Sequence, residues 1–455
     1  QYYFGDAGVW ILAATVTMAC LKTSVGLVTS CAETFEQLFP QGPKYKAWAV
    51  IFSVVSFAIA NLGLSAIIGY SVPVLMFLYP LAIALILLAL FGKFFGHSRE
   101  VYVSTLVLTL VGAVYDLLRA LPAGTRVMAD SATANYRIME TLSHAEVLDQ
   151  PSPAILMKAC KTREETDGFR SVHIRDGAAM CRFLYWLKTR IGKEPITELS
   201  AAARLADFRA AQPDFLELSF DTIAGYGPHG AIVHYDPTPE TDVPLHPEGL
   251  LLVDSGAHYR QGTTDVTRTI VLGPVTDEER RMFTLVLKGH LALAAARFPH
   301  GVTGENLDAL ARMPLWVHGL DYNHGTGHGV GFILSVHEGP QSFRCRSLDG
   351  RRIVLEEGMV ISNEPGYYAA GKFGIRHENL MLVRTGEATD YGQFLYLEPL
   401  TMVPFDRDAI DTALLTEEEL ARLNDYHRLV YDTVSPLLPA EEQAWLAQAT
   451  APLQR

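Results

Sequence analysis

The chain has 455 residues, 49% of them hydrophobic, with a mean hydropathy of +0.15 and a formal charge of −13. That length holds two or three domains, and the acidic balance leaves no case for nucleic-acid binding. The apolar excess is uneven: residues 1–125 hold six cationic and five acidic side chains, so the negative charge lies entirely beyond them. Five cysteines without paired spacing predict reduced thiols. The sequence starts at Gln1 with no cleavable leader in view, so an N-terminal cut is expected.

Lys46–Tyr70 and Ser71–Phe91 are apolar runs of the roughly 20 residues that a helix needs to cross a bilayer. Val101–Leu121 is a third candidate and Val9–Ser30, interrupted by Lys22, a fourth. A charge-free run such as Ser71–Phe91 is rare among helices in water. The stretches Thr17–Leu27, Ile59-Ala60-Asn61-Leu62-Gly63-Leu64 and Ser71–Leu75 with Leu78–Ala82 are similar to the branched-chain amino acid carrier family (LIVCS). The resemblance implies an all-α transmembrane fragment over residues 1–121 with a lipid bilayer as its partner. It covers about four helices, and a transporter of this kind needs both halves of its repeat, so a transport-incompetent fragment is expected. The cationic loops at Lys44/Lys46 and Lys93/Arg99 are separated by two spans and predict a shared cytoplasmic face. A further span would carry residues 122–455 across. Either the last helix does not cross or, the favoured reading, the two pieces are joined without a functional design; the catalytic part is expected to be cytoplasmic, membrane-associated through the N-terminal helices.

Leu121-Pro122-Ala123-Gly124-Thr125 is breaker chemistry and reads as a seam. Residues 122–157 are too short to close a core, with one amphipathic helix near Ala132–Leu142. Lys158–Ile191 has apolar residues at helical spacing, and Thr197–Phe208 repeats the type; both read as packing.

The chemistry begins where Leu250-Leu251-Leu252-Val253 delivers Asp254. Ser255-Gly256-Ala257 comes next, then a run from Thr263 to Val271 that alternates as a strand and carries Asp265. A carboxylate at the end of a buried strand needs a partner. The construction recurs: Met359–Asn363 delivers Glu364-Pro365-Gly366, and Gly374-Ile375-Arg376-His377 leads to Glu378 and a strand over Asn379–Val383. Two halves with facing hairpins are implied. Between them, Asp321–Gly331 and His337-Glu338-Gly339-Pro340 set three histidines among glycines, whose backbone can turn sharply and approach closely.

Gathering Asp254, Asp265, Glu364, Glu378 and His328 without cations would raise the acids' pKa values steeply. Two divalent cations cancel the charge, and carboxylates that bridge them hold the pair about 3.5–4 Å apart with an acidic water between. Four oxygen donors and one imidazole suit Mn²⁺, with Co²⁺, Fe²⁺ or Zn²⁺ as other candidates.

At Gly230–Tyr235, Asp254-Ser255-Gly256-Ala257, Gly262–Thr269, His324–Gly331, Val336–Pro340, Asn363–Tyr368 and Gly374–Asn379, the chain from about Lys158 onward resembles the catalytic domain of Xaa-Pro aminopeptidases. These belong to family M24 of the pita-bread metallopeptidases, with prolidase and creatinase as cousins. The resemblance implies an α+β pita-bread domain over 158–455, a remnant of the family's middle domain before it, and a C-terminal extension from about 395 with homodimer contacts. It further implies hydrolysis of the N-terminal Xaa-Pro bond of peptides with proline second, by hydroxide held between two metals. Asp254 would chelate one metal, Asp265 and Glu378 bridge both, and His328 and Glu364 bind the second. Glu364 would shuttle the proton and His337 stabilise the oxyanion; His234 and His324 would line the substrate pocket, supported by Tyr368 and Arg376. Ile232-Val233 before His234 and Tyr235-Asp236-Pro237 after it fit a strand that ends at a cleft. Alternatives are a prolidase-type dipeptidase, a metal-free binding module on the same fold, a tethered carrier, and a chimeric or truncated product whose membrane part derives from a branched-chain amino acid:cation symporter.

Overall fold

The structure, a computed structural model, describes residues 5–40, 42–60, 64–346, 350 and 352–455, with the backbone alone at 5–8, 60 and 64–73. It divides into two compact units, Gln1–Ser152 and Pro153–Arg455.

The first unit contains helices α1 (Gly5–Leu38), α2 (Tyr45–Ala60), α3 (Leu64–Phe91) and α4 (Arg99–Ala120). The expected break between Tyr70 and Ser71 is absent: α3 runs through it, with Pro73 and Pro80 inside the helix. Proline is tolerated in such helices when neighbouring groups re-satisfy the freed carbonyls. The expected span Lys46–Tyr70 therefore shortens to α2, and Asn61, Leu62 and Gly63 of the carrier-like stretch lie outside the described residues. Val9–Leu38, Val74–Phe95 and Arg99–Ala120 are long and apolar enough to cross a membrane, whereas Tyr45–Ile59 is apolar but shorter. Phe35 of α1 packs edge-on against Trp48 and Phe52 of α2, with ring centres 5.1 Å apart in each case. Tyr102 of α4 donates to the Leu88 carbonyl of α3 at 3.0 Å. After α4, β1 (Arg126–Ala129) and β2 (Glu146–Asp149) form a parallel pair joined through α5 (Tyr136–Thr141). The helix expected over Ala132–Leu142 is reduced to six residues because Asn135, a strong cap, accepts from the Arg137 amide and starts it late.

The second unit opens with α6 (Pro153–Ala159) and α7 (Arg163–Arg190). A capping box between Thr162 and Glu165 sets the start of α7, five residues later than the apolar spacing suggested. Thr197 caps α8 (Glu198–Ala210) in the same manner. β3 (Phe215–Leu218), β4 (Ile223–Tyr226), β5 (Leu250–Ser255), β6 (Ala257–Tyr259), β7 (Gly262–Thr263) and β8 (Val266–Val271) come next. They form two sheets, β3-β6-β7 and β4-β5-β8. Then come α9 (Asp277–Ala294), β9 (Arg297–Pro299), α10 (Gly304–Trp316), β10 (Gly327–His328) and β11 (Ser342–Phe343). The second half has β12 (Val360–Asn363), β13 (Gly366–Ala369), β14 (Phe373–Arg376), β15 (Asn379–Thr389) and β16 (Gly392–Pro399), in sheets β12-β15-β16-β9 and β13-β14. Helices α11 (Glu417–Val434) and α12 (Ala440–Ala449) close the chain.

Every residue of β5 and β8 is buried, as expected of strands covered on both faces. The alternation expected along this run therefore appears in β8 as two differently packed faces, not as one buried and one solvent face: Val266 and Ile270 lie on the helix side. Thr267 and Thr269 face the second half rather than solvent: the Thr269 hydroxyl donates to the Arg376 carbonyl at 3.0 Å, and the Glu378 amide donates to the Thr267 carbonyl at 3.1 Å. On the other side, β5 and β8 pack with α7 and α8 through Leu251, Val253, Ile270, Phe183, Leu187 and Leu205. A mirrored layer joins α9 to β14 through Phe283, Val286 and Ile375. Each such fully buried aliphatic or aromatic side chain contributes about 1.5–3 kcal/mol. These layers hold the two hairpins against each other.

Candidate metal centre

Asp254 sits in β5, opposite Thr267 of β8, and Asp265 immediately precedes β8. Glu364 comes directly after β12, while Glu378 immediately precedes β15, next to the Asn363–Asn379 pair. His328 lies on β10, held beside β12 by its amide, which donates to Ser362 Oγ at 2.9 Å. That approach needs Gly327: a Cβ there would stand 1.9 Å from the Ser362 carbonyl oxygen.

The five side chains converge. Asp254, Asp265 and Glu378 offer oxygens within 4.8 Å of one another, as do the donor atoms of His328, Glu364 and Glu378 and those of Asp265, His328 and His337. His328 Nε2 is 3.4 Å from Asp265 and 3.6 Å from Glu364. Glu378 belongs to two overlapping sets and Asp265 to two, which is the pattern of two adjacent cation positions sharing bridging acids. His328 Nδ1 lies 2.9 Å from the Gly329 carbonyl, which can only accept. That nitrogen therefore carries the proton, and the Nε2 lone pair faces the acids. One oxygen on each of Asp254, Asp265 and Glu378 is buried with no hydrogen-bond partner among the described residues. Buried carboxylate oxygens without donors are costly unless a cation meets them. The donor set fits two hard divalent ions.

The electrostatics agree. Burial first, then Asp254 and Glu364, push the Asp265 carboxyl far above its ordinary range. Burial, then Asp265, Glu364 and Asp254, do the same to Glu378. Arg376 is the compensating cation, 2.6 Å from Asp254 Oδ2. Burial opposes the charge on Arg376, yet Tyr368, Asp254 and Glu364 raise its pKa on balance. Thr267 Oγ1 donates to Glu378 at 2.8 Å, and Ser362 Oγ donates to Glu364 at 3.2 Å. Neither hydroxyl was singled out from the sequence; the available signal was a polar residue inside a strand buried on both faces.

His234, His324, His337, Arg376 and the five candidate ligands line one cavity of about 650 Å³. Tyr368 is one layer back. Arg376 Nη1 donates to its hydroxyl at 2.8 Å, which in turn donates to His324 Nε2 at 2.9 Å, while His324 Nδ1 donates to the Gly325 carbonyl at 2.7 Å. Both nitrogens of His324 are thus committed, and burial lowers its pKa. The ring of His337 stands 4.1 Å from that of His328; partial burial, and then His328, lower its pKa.

His234 does not end a strand, as its neighbours had suggested. It sits in an exposed turn after a 3₁₀ segment, Gly227–Ala231, whose Gly230 presses against Gly374 too closely for a side chain at 374. The turn is anchored by Glu198, fully buried in the first turn of α8. Glu198 accepts from the Tyr226 amide at 2.7 Å, His229 Nδ1 at 2.9 Å and the Tyr235 hydroxyl at 2.8 Å. Glu198→Ala strands these donors and is expected to destabilise the unit by about 3 kcal/mol, read by urea unfolding followed through tryptophan fluorescence.

Two facing hairpins, with clustered acids and one imidazole where they meet, define the pita-bread class of metal-dependent hydrolases. Residues 167–385 match metallopeptidase family M24 and residues 393–453 match the C-terminal region of that family. The second unit belongs to family M24. Residues 1–140 match the branched-chain amino acid transport protein family. The chain is 47% identical over 352 residues to a probable Xaa-Pro aminopeptidase P of Laccaria bicolor, covering 75% of this chain and 55% of that protein. It is 40% identical over 352 residues to aminopeptidase P1 of Arabidopsis thaliana, covering 72% and 54% respectively. Among solved structures, the X-prolyl aminopeptidase of Caenorhabditis elegans, described as a cytosolic enzyme with a di-nuclear active site, superposes with a TM-score of 0.70 at 38% identity. That match covers 75% of this chain and 57% of the other. The chain thus spans about half the length of the curated relatives it matches.

Proposed function

We propose that the second unit is a two-metal aminopeptidase that removes the N-terminal residue from peptides with proline at the second position. The observation that carries this reading is the convergence of Asp254, Asp265, His328, Glu364 and Glu378 with three buried carboxylate oxygens left unpaired. In this reading Asp254, Asp265 and Glu378 would hold one cation and His328, Glu364 and again Glu378 the other, with Asp265 available to both. Two divalent cations, when bound, supply the Lewis acidity that activates water at neutral pH and polarises the scissile carbonyl. The oxygen-rich donor set favours Mn²⁺.

The chain's own groups do the rest. Glu364, its Oε1 oriented by Ser362, accepts a proton from the attacking water and returns it to the prolyl nitrogen as the bond breaks. His337, uncharged at neutral pH, still carries one N–H with which to meet the developing oxyanion. Arg376, itself fixed by Thr267 and Tyr368, holds Asp254 Oδ2 and so leaves Oδ1 as the oxygen that would meet a cation. His234 and His324 border the peptide. Residues 1–121 sit in the bilayer, residues 122–157 form the seam, and the catalytic unit faces the cytoplasm, with homodimer contacts in the C-terminal extension.

The full chain in detergent, loaded with Mn²⁺, tests the reading on Arg-Pro-Pro. Release of free arginine from Arg-Pro-Pro and none from Arg-Ala-Ala is expected. No release from Arg-Pro-Pro by protein that binds two Mn²⁺ ions contradicts it, and cleavage of Xaa-Pro dipeptides alone replaces it with a dipeptidase.

A further inference from the structure

Behind the candidate ligands lies a buried cation that the chemistry above does not use. Arg268 is 1% exposed, on β8, and its hydrogen-bond partners among the described residues include no carboxylate. Burying a guanidinium with no acid hydrogen-bonded to it costs several kcal/mol unless its donors are all met. Here they are. Nη1 donates to the carbonyls of Thr267 at 2.8 Å and Glu378 at 2.6 Å. Nη2 donates to Asn379 Oδ1 and to the Val403 carbonyl, each at 2.7 Å, with the Tyr426 hydroxyl at 3.1 Å. Nε donates to the Pro404 carbonyl at 3.1 Å, and the guanidinium lies 4.2 Å above the Phe405 ring.

These partners come from three places. Thr267 lies two residues past the first hairpin's Asp265; Glu378 and Asn379 belong to the second hairpin; Val403, Pro404, Phe405 and Tyr426 belong to the C-terminal segment. Tyr426 of α11 locks the same knot by donating to the Val403 carbonyl at 2.8 Å, with the Thr401 carbonyl at 2.9 Å. A planar five-donor fork can tie three chain segments at one point, which a lysine ammonium cannot do. The segment it fixes most tightly is the backbone of Glu378, whose carboxylate belongs to both the three-carboxylate and a histidine-containing donor set.

We propose that Arg268 is a positioning residue that makes the C-terminal segment part of the metal centre: by clamping the Glu378 carbonyl against residues 403–404 and Tyr426, it sets where the shared carboxylate stands and so governs whether two cations bind at bridging distance. This rests on the two-metal reading above. Its consequence is that the C-terminal segment contributes no ligand yet decides the nuclearity of the site.

The test uses the full chain in detergent, metal-free and then titrated with Mn²⁺, read by calorimetry and by electron paramagnetic resonance, where two ions at bridging distance give an exchange-coupled spectrum. Arg268→Lys keeps the charge and loses the fork. It is expected to bind the first ion as before, to weaken the second by about 10–100-fold, and to lose the coupled signal. Tyr426→Phe, which leaves Arg268 in place and removes one lock, is expected to weaken the second ion by about tenfold, at the low end of that range, with the metal-free melting temperature little changed. Wild-type affinity for both ions and an intact coupled spectrum in folded Arg268→Lys overturn the proposal. Should Arg268→Lys not fold, unchanged binding of the second ion by Tyr426→Phe overturns it equally. If the unsubstituted chain itself never binds a second ion, the two-metal reading fails instead, and the two failures are told apart.

Discussion

Asp265→Asn is expected to lower kcat/KM of the Mn²⁺-loaded chain by more than about a hundredfold, the upper end of what losing a mere outer partner of a ligand costs. The carboxylate is 3% exposed and within reach of both donor sets, so an amide there removes one negative charge from each cation's surroundings. The same substitution acts in the opposite direction on the metal-free protein. Asp265 is held protonated well above the ordinary Asp value of about 3.9 by burial and by Asp254 and Glu364. A carboxyl whose folded pKa is raised contributes stability that is complete at low pH and is lost as pH rises through the raised value. Without metal, the variant is therefore expected to melt higher than the parent at pH 7.5, with the gap closing toward pH 4. The comparison cancels the buried histidines, such as His173, whose lowered pKa values make both proteins less stable in acid. A variant that melts lower at pH 7.5, or a gap that widens in acid, would falsify the crowded-carboxylate account.

His337→Ala separates chemistry from metal binding. Removing one donor to a developing oxyanion costs about 2.7–4 kcal/mol, or about 10²–10³ in kcat. The expected result is a loss of that size in kcat, with two ions still bound and KM changed little. His337 also stands within ligand distance of Asp265 and His328, which supplies the opposing outcome. If the variant binds one ion fewer, His337 is a ligand and the oxyanion is met by something else.

How much was legible in advance depended on range in sequence. Asp254 and Glu364 each follow a strand-type run, and Asp265 and Glu378 each begin another after a glycine-containing turn. That local pattern sufficed to place both hairpins, and the structure brings the acids and His328 to one cavity. Thr267 and Arg268 were legible only as part of a strand, because their partners lie more than a hundred residues away. Glu198 sits at the start of a helix read only as packing, and its role depends on Tyr226, His229 and Tyr235, which lie 28 to 37 residues further on. The strand anticipated before His234 failed for a related reason: Gly230 must pass against the Gly374 backbone, a contact from the other half that bends the chain into a 3₁₀ turn. In the first unit, an apolar run has no internal punctuation, so the division at Tyr70 was arbitrary and the helix ignored it. Capping residues at Thr162 and Asn135 moved two further helix starts, each by a side-chain hydrogen bond that periodicity does not register.

The central claim is that four carboxylates and one imidazole form a seat for a pair of divalent ions. Calorimetric titration of the metal-free chain with Mn²⁺, checked by elemental analysis after desalting, tests it most directly. Two ions per chain, falling to one or none in Asp265→Asn, is the predicted result. Retention of no ion by the folded parent, or a stoichiometry that Asp265→Asn leaves untouched, would contradict it.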